Sequence, residues 1–346
     1  MILLASKFSP IDDLLHKATG TWFTAAVARI EHRGKLVFEE AYGTTRDDEF
    51  ARSVYVDTSF DLASITKLFV STLALAFVDE GRLTLDGPLL DWAPEWRATD
   101  HAAITLRMLL AHTSGMNSGA DYRTLLDANA QNFALTRALA AAPGEKVIYS
   151  DLGLIALGAL LERVAGMSLS ALLAQRFSAS SARFVPRERG RIAIPATEMD
   201  AWRGRVQGFV HDEKAYLMNG VAGHAGLFGT AADVAALAEV YLAALGGREQ
   251  ALLSPALARE AVHEAAYDPV LRRGLGWALK TNDDNSCGRL MSHETFGHTG
   301  FTGTCVWSDP QRDVTGVLLT NSVYFGRSDS RPLRAAFFEA LIEAIN

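Results

Sequence analysis

The chain has 346 residues and a formal net charge of −7, with 49% hydrophobic and 21% charged residues. That length suggests one large domain or two lobes, in a soluble globular protein of ordinary composition, and the acidic balance argues against nucleic acid or an anionic membrane as main partner. The longest apolar helical stretch, 68–78, is too short to span a bilayer, and the two cysteines, Cys287 and Cys305, form neither a disulfide framework nor a metal-type spacing.

The N-terminus, MILLASKFSPIDDLL, carries a four-residue apolar run, shorter than a signal peptide needs. The chain as given therefore reads as cytoplasmic; a periplasmic protein whose leader had been removed would read the same. Residues 10–19 read as a short helix with Ile11, Leu14 and Leu15 on one face. TAAVARIEHRGKLVFEEAYG reads as a β-hairpin, with HRGK as its turn. From Ser64 to Asp79 the pattern is helical and apolar nearly all round, which predicts a buried helix, with Gly81 as its C-cap. Residues 82–250 lean helical: TLRMLLAH, LTRALAAA, LGLIALGALLERVAG and TAADVAALAEVYLAAL all carry helical apolar spacing. The last opens on Thr230 with Asp233 three residues on, a capping-box-like start. Long loops intervene, notably 178–230. Short β-type runs return at 274–280, 303–309 and 314–322, and a helix closes the chain at about 331–345.

Strands at both ends with helices between predict an α+β fold. One antiparallel sheet is built from both termini and flanked by the terminal helices (1–80 and 265–346), and a mostly helical lobe is inserted (81–264). A cleft between the lobes is the expected ligand site.

Three short motifs carry polar groups suited to chemistry. In DLASITKLF, Ser64 and Lys67 lie three residues apart, roughly 4.5 Å of helical rise, on one face. The bland reading is a capping serine and a snorkelling lysine. The functional one is a nucleophile beside an amine that activates it. A lysine opening a nearly all-apolar helix is costly without a partner. In VIYSDLGLIALG, Tyr149, Ser150 and Asp151 stand at a loop-to-helix junction, where Ser150 or Asp151 suits an N-cap and Tyr149 is free to face a cleft. In FGHTGFTGT, His298, Thr299 and Gly300 make either a Gly-rich turn or an edge strand approaching a substrate carbonyl. His211, Asp212 and Glu213, with His224 or His293, fit no zinc spacing and read as a hydrogen-bonded loop. No metal or cofactor is expected.

The ordered triplet of S-x-x-K, Y-S-D some 80 residues on, and H-T-G near the C-terminus resembles the class C β-lactamase and penicillin-binding-protein family of serine hydrolases, with its esterase and D-amino-acid peptidase members; the sibling class A set is S-x-x-K, S-D-N and K-T-G. The segments FDLASITKLFVSTLALAFVDEGRLTLDGPLLDWAPEW, ITLRMLLAHTSGM and GVAGHAGLFGTAADVAALA extend the similarity over about 58–304. The resemblance implies Ser64 as the acylated nucleophile, with Lys67 and Tyr149 sharing proton transfer; which takes the first proton stays open. It implies an oxyanion hole from the N–H groups of Ser64 and Phe301, and substrate contacts at Asp151, His298, Thr299, Gly300 and Phe301.

Two positions depart from the family pattern. His298 stands where many β-lactamases have lysine, and histidine is mostly neutral at neutral pH, so carboxylate-bearing β-lactams should bind more weakly. Asp151 stands where class C β-lactamases have asparagine. An ionised Asp cannot donate to a substrate amide; it would instead pair with Lys67, hold it cationic and shift the base role toward Tyr149. The expected protein is a serine hydrolase of small ester, amide or peptide-like substrates with weak β-lactamase activity at most. A D-alanyl-D-alanine carboxypeptidase or true β-lactamase is the first alternative, and a non-catalytic ligand-binding member the second.

Overall fold

The computed structural model describes residues 7–118, 125–126, 129–184, 191–248, 252–270 and 272–346. Helix α1 (Ser9–Ala18) leads into the hairpin β1 (Ala25–His32) and β2 (Lys35–Gly43). Its turn is Arg33-Gly34, with φ of 55° and 68°. Two successive left-handed residues match the twist of the flanking strands, which is why Gly occupies the second position. The C-terminal strands β3 (Arg272–Arg273), β4 (Ala278–Leu279), β5 (Phe296–Thr299), β6 (Cys305–Asp309) and β7 (Val314–Thr320) complete a seven-stranded sheet in the order β2-β1-β7-β6-β5-β4-β3. Every pairing is antiparallel. The two ends of the chain meet mid-sheet, where Val27 faces Leu319.

Strand alternation divides the sheet into two cores. Ala26, Ala28, Ile30 and Leu318 join Ile11 and Leu15 of α1 and Phe337, Phe338 and Leu341 of the C-terminal helix Arg331–Ile345. On the other face, Val27, Val306, Val317 and Leu319 pack with α2 (Thr66–Asp79) and α4 (Ala231–Leu245). The second cluster runs on into α3 (Asp151–Ala165), so the helical segment and the sheet share apolar contacts.

Three local features place the site. Helix α2 is buried from Thr66 to Phe77, which puts Lys67 in the core rather than at a surface. Ser150 caps α3, its hydroxyl accepting from the Gly153 N–H, and the helix ends on Gly166 in the left-handed region. The loop before α4 lies directly on α3: a Cβ at Gly223 would stand 1.9 Å from the Leu154 carbonyl oxygen. Only glycine lets that loop bring the His224 carbonyl to Lys67. Helix α4 opens with the capping box of Thr230 and Asp233.

Two expectations need correction. LTRALAAA is not one helix: Ala130–Thr136 ends two residues into it, and the Ala140 N–H instead donates to the Gly115 carbonyl at 2.8 Å. The 274–280 run is not one strand. It breaks between β3 and β4 at Gly276, whose φ is +86° and whose backbone passes so close to Ser71 that a Cβ would meet it at 2.5 Å.

Candidate active site

Ser64 sits in the short 3-10 turn Ala63–Ile65 that opens α2. Ala63 before it has φ +48°, a left-handed conformation that a non-glycine residue adopts at a cost of about 1 kcal/mol or more. Asp61 holds it there. One carboxylate oxygen accepts the Ala63 N–H at 2.9 Å and the other accepts the His211 N–H at 2.6 Å. The segment after β5 clamps the same turn: Thr302 Oγ1 donates to the Asp61 carbonyl at 2.8 Å and Thr304 Oγ1 to the Leu62 carbonyl at 3.1 Å. A Cβ on Gly300 would fall 2.7 Å from the Leu62 oxygen, so glycine is what allows the strand end to approach the nucleophile turn.

Lys67 is fully buried, and its Nζ lies 2.9 Å from Ser64 Oγ, 3.0 Å from the His224 carbonyl and 3.0 Å from Asp151 Oδ1. The contacts continue into a closed ring. Asp151 Oδ2 meets Lys214 Nζ at 3.2 Å, Lys214 meets Asp212 at 3.8 Å, and Asp212 meets His224 Nε2 at 2.7 Å. Burial by itself would lower the Lys67 pKa, but the Asp151 carboxylate and the Tyr149 phenol outweigh it and hold the ammonium well above the ordinary lysine range. Burial would likewise raise Asp151; Lys67, His224 and Lys214 overcome it and hold the carboxyl well below its usual range. The charged form of Lys67 is thus the one its partners favour, and Asp151 spends both oxygens on ammonium groups. It stands behind Lys67 and is not part of the cleft wall.

Tyr149 faces the cleft, its ring flanked by two cations, Lys67 Nζ at 5.0 Å and Arg273 Cζ at 5.2 Å from the centroid. His112 packs on it at 4.7 Å and accepts the Ser150 N–H on Nδ1 at 3.1 Å. These contacts fix where Tyr149 leaves the chain. His298 Nδ1 pairs with the Thr299 carbonyl oxygen at 2.8 Å, which makes Nδ1 the protonated nitrogen. Burial first, then Arg273 and Lys67, push its pKa down to about 3, so His298 is neutral. Ser64, Tyr149, Arg273, His298, Thr299 and Phe301 line one cleft of about 490 Å³. The N–H groups of Ser64 and Phe301 make no hydrogen bond among the described residues.

Ser64, Lys67, Tyr149, Asp151 and the 298–301 strand end, distant in sequence, are thus brought together. Of the residues weighed for a metal, Asp212 and His224 join Asp151, with ligand atoms within 4.8 Å of one another. Lys67 and Lys214 already pair with those carboxylates, so positive charge stands where an ion would sit, and the donor set does not suit one. Glu213 pairs with Arg327, and His293 contacts Arg272. Sequence reading missed Lys214, Arg273 and His112. Lys214 lies two residues from Asp212 in a segment already singled out, and His112 lies inside ITLRMLLAHTSGM. Arg273 belongs to no motif.

The β-lactamase family profile matches residues 11–340. The chain belongs to the β-lactamase family. Esterase EstB from Burkholderia gladioli is 30% identical, over 91% of this chain and 90% of its own. A protein of Escherichia coli named "Putative D-alanyl-D-alanine carboxypeptidase" is 29% identical over 83% of this chain and 76% of its own. The solved structure titled "EstCE1, a hydrolase with promiscuous acyltransferase activity" has a TM-score of 0.78 and 23% identity, covering 98% of this chain and 100% of that one, and it shows the shared fold. The α+β architecture and the family read from the motifs both hold, and the protein is a serine hydrolase of this β-lactamase family.

Proposed function

We propose that the protein hydrolyses ester or amide bonds through an acyl-enzyme on Ser64, with Tyr149 carrying the proton and Lys67 acting as a fixed cation. The observation that supports this is the Lys67 ammonium held between Ser64 Oγ at 2.9 Å and Asp151 at 3.0 Å. An ammonium kept charged by a buried carboxylate has no lone pair with which to take a proton. It orients the hydroxyl and offsets the charge that develops on its oxygen. Tyr149 Oη then takes the Oγ proton as the bond from Oγ to the carbonyl carbon forms. The oxyanion falls to the N–H groups of Ser64 and Phe301. When the tetrahedral adduct collapses, the bond to the leaving atom breaks and Tyr149 returns the proton to that atom. Water repeats the cycle on the Ser64 ester and frees the enzyme.

The neutral His298 offers no fixed charge to a carboxylate held against the strand, so penicillin turnover is slow beside ester turnover. The test is a panel of a nitrophenyl ester, a D-alanyl-D-alanine peptide and a penicillin, with intact-mass detection of the Ser64 adduct. Ester turnover should dominate, and Ser64→Ala should lose at least about 10⁴-fold. Peptide turnover exceeding ester turnover would favour the carboxypeptidase reading. An equally active alanine variant would remove the mechanism.

A further inference from the structure

The Phe301 N–H belongs to the peptide that joins Gly300 to Phe301. That peptide is trans, so its carbonyl and its N–H point in opposite directions. Whatever fixes the Gly300 carbonyl therefore also fixes where the Phe301 N–H aims. Arg334, the fourth residue of the closing helix Arg331–Ile345, reaches that carbonyl: its Nη2 donates to the Gly300 oxygen at 2.8 Å. The Gly303 N–H donates to the same oxygen at 3.1 Å, which fills both of its lone pairs. The N–H on the other side of the peptide, that of Phe301, meets no acceptor among the described residues. Arg334 is a costly donor for a backbone carbonyl. It is only 9% exposed, and its Nε is buried without a protein partner. No carboxylate bonds it among the described residues; Asp329, which bonds Arg331, acts on it through charge, and the Cys305 thiol beside it is neutral, pushed up to about 11 by burial. A neutral amide or hydroxyl would hold a carbonyl at a smaller cost of burial. What a guanidinium adds is a permanent charge behind the peptide.

We propose that Arg334 is a positioning residue for the oxyanion hole, acting through the Gly300–Phe301 peptide. The inference rests on the acyl-transfer reading above. The bond from Nη2 sets the plane of the peptide and so the direction of the Phe301 N–H. It also polarises the peptide: electron density drawn toward the carbonyl oxygen leaves the N–H a stronger donor. As the substrate carbonyl oxygen gains negative charge, the guanidinium stands one peptide behind it and needs no rearrangement to stabilise it. The ground-state carbonyl is neutral, so this gain falls on the transition state and not on binding. The spacing of the two oxyanion donors is set separately, because Thr302 and Thr304 tie the strand end to the turn that carries Ser64. The threonines hold the distance between the donors, and Arg334 holds the aim of one of them.

Hydrolysis of a nitrophenyl ester by wild type, Arg334→Met and Arg334→Lys tests it, together with inhibition by phenylboronic acid, whose tetrahedral adduct on Ser64 places an oxygen where the oxyanion forms. Arg334→Met should lose about 30-fold in kcat and in kcat/KM alike, with KM moving by less than about threefold, the pattern of an interaction made only in the transition state. Its inhibition constant for the boronic acid should rise by about the factor that kcat falls. Arg334→Lys keeps a charged N–H donor and should recover about fivefold or more of the lost kcat. A kcat within about threefold of wild type in Arg334→Met would overturn the proposal, as would a loss confined to KM or one that lysine does not relieve. Should Arg334→Met not fold, Arg334→Gln takes its place: a neutral donor should lose about tenfold in kcat, and an unchanged kcat would overturn the proposal equally. Labelling of wild-type Ser64 by a fluorophosphonate separates the two readings. Labelled enzyme whose kcat is indifferent to Arg334 sinks only the positioning role, whereas unlabelled enzyme sinks the acyl-enzyme mechanism and the positioning role with it.

Discussion

On the Lys67 side of the cleft each charge meets its opposite: Asp151 between two lysines, Asp212 between Lys214 and His224. On the Arg273 side no carboxylate pairs directly with the cation among the described residues, the histidine is neutral, and the buried Arg273 Nε–H has no protein acceptor. Both sides are largely buried, so burial does not explain the difference. What separates them is who supplies the counter-charge. The paired wall completes its electrostatics within the chain, which fixes the protonation of Lys67 before any substrate arrives. On the other wall Arg273 interacts with the Tyr149 ring and, through charge, with Asp268.

The comparison is broken most severely by opening the ring. Lys67→Met leaves Ser64 without its oriented ammonium and Asp151 with a single cation. Ester turnover should fall by about 10³-fold or more, and removing one partner of a buried pair should cost about 3–5 kcal/mol of stability. Adding Asp151→Asn to Lys67→Met removes the stranded carboxylate. Urea denaturation should then recover part of the stability while turnover stays lost. If the double variant is no more stable than the single one, the ring is not an electrostatic unit.

Asp61 is the exception on the paired side, and it sharpens the contrast. Backbone N–H groups hold it, and no ion pair reaches it among the described residues. Burial pushes its carboxyl up to about 6. The native state therefore holds this proton more tightly than the unfolded chain between pH 4 and pH 6, so the stability it contributes falls as pH rises through that window and is level above it. Asp61→Asn cannot titrate. The stability of wild type relative to that variant should drop by about 3 kcal/mol from pH 4 to pH 7. A difference independent of pH would mean that the two N–H bonds have already cancelled the burial.

The uneven legibility of the sequence follows the same division. Periodicity located the hairpin, α2, α3, α4 and the closing helix, because each buries a repeating face. It failed at 135–142, where an alanine-rich run with helical spacing makes loop contacts to Gly115, and at Gly276, where a close approach to Ser71 breaks a strand. Ser64, Lys67, Tyr149 and His298 were readable because their neighbours in sequence form motifs. The pairing of Asp151 with Lys67 was readable from charge alone. Lys214 and Arg273 were not, since each is a single basic residue whose meaning comes from what stands opposite it in space. One of them pairs with two acids there and the other stacks on an aromatic ring, a distinction that only tertiary contacts make.

The smallest expected effect tests how far the neighbouring cations govern position 298. His298→Lys restores a cation at the strand, but Arg273 and Lys67 already act on that position, so the new ammonium enters a site crowded with like charge. Penicillin kcat/KM should rise by about tenfold at most, with a lower denaturation midpoint from the added repulsion. If instead the lysine raised penicillin turnover a thousandfold, the like charge of Arg273 and Lys67 would not govern position 298.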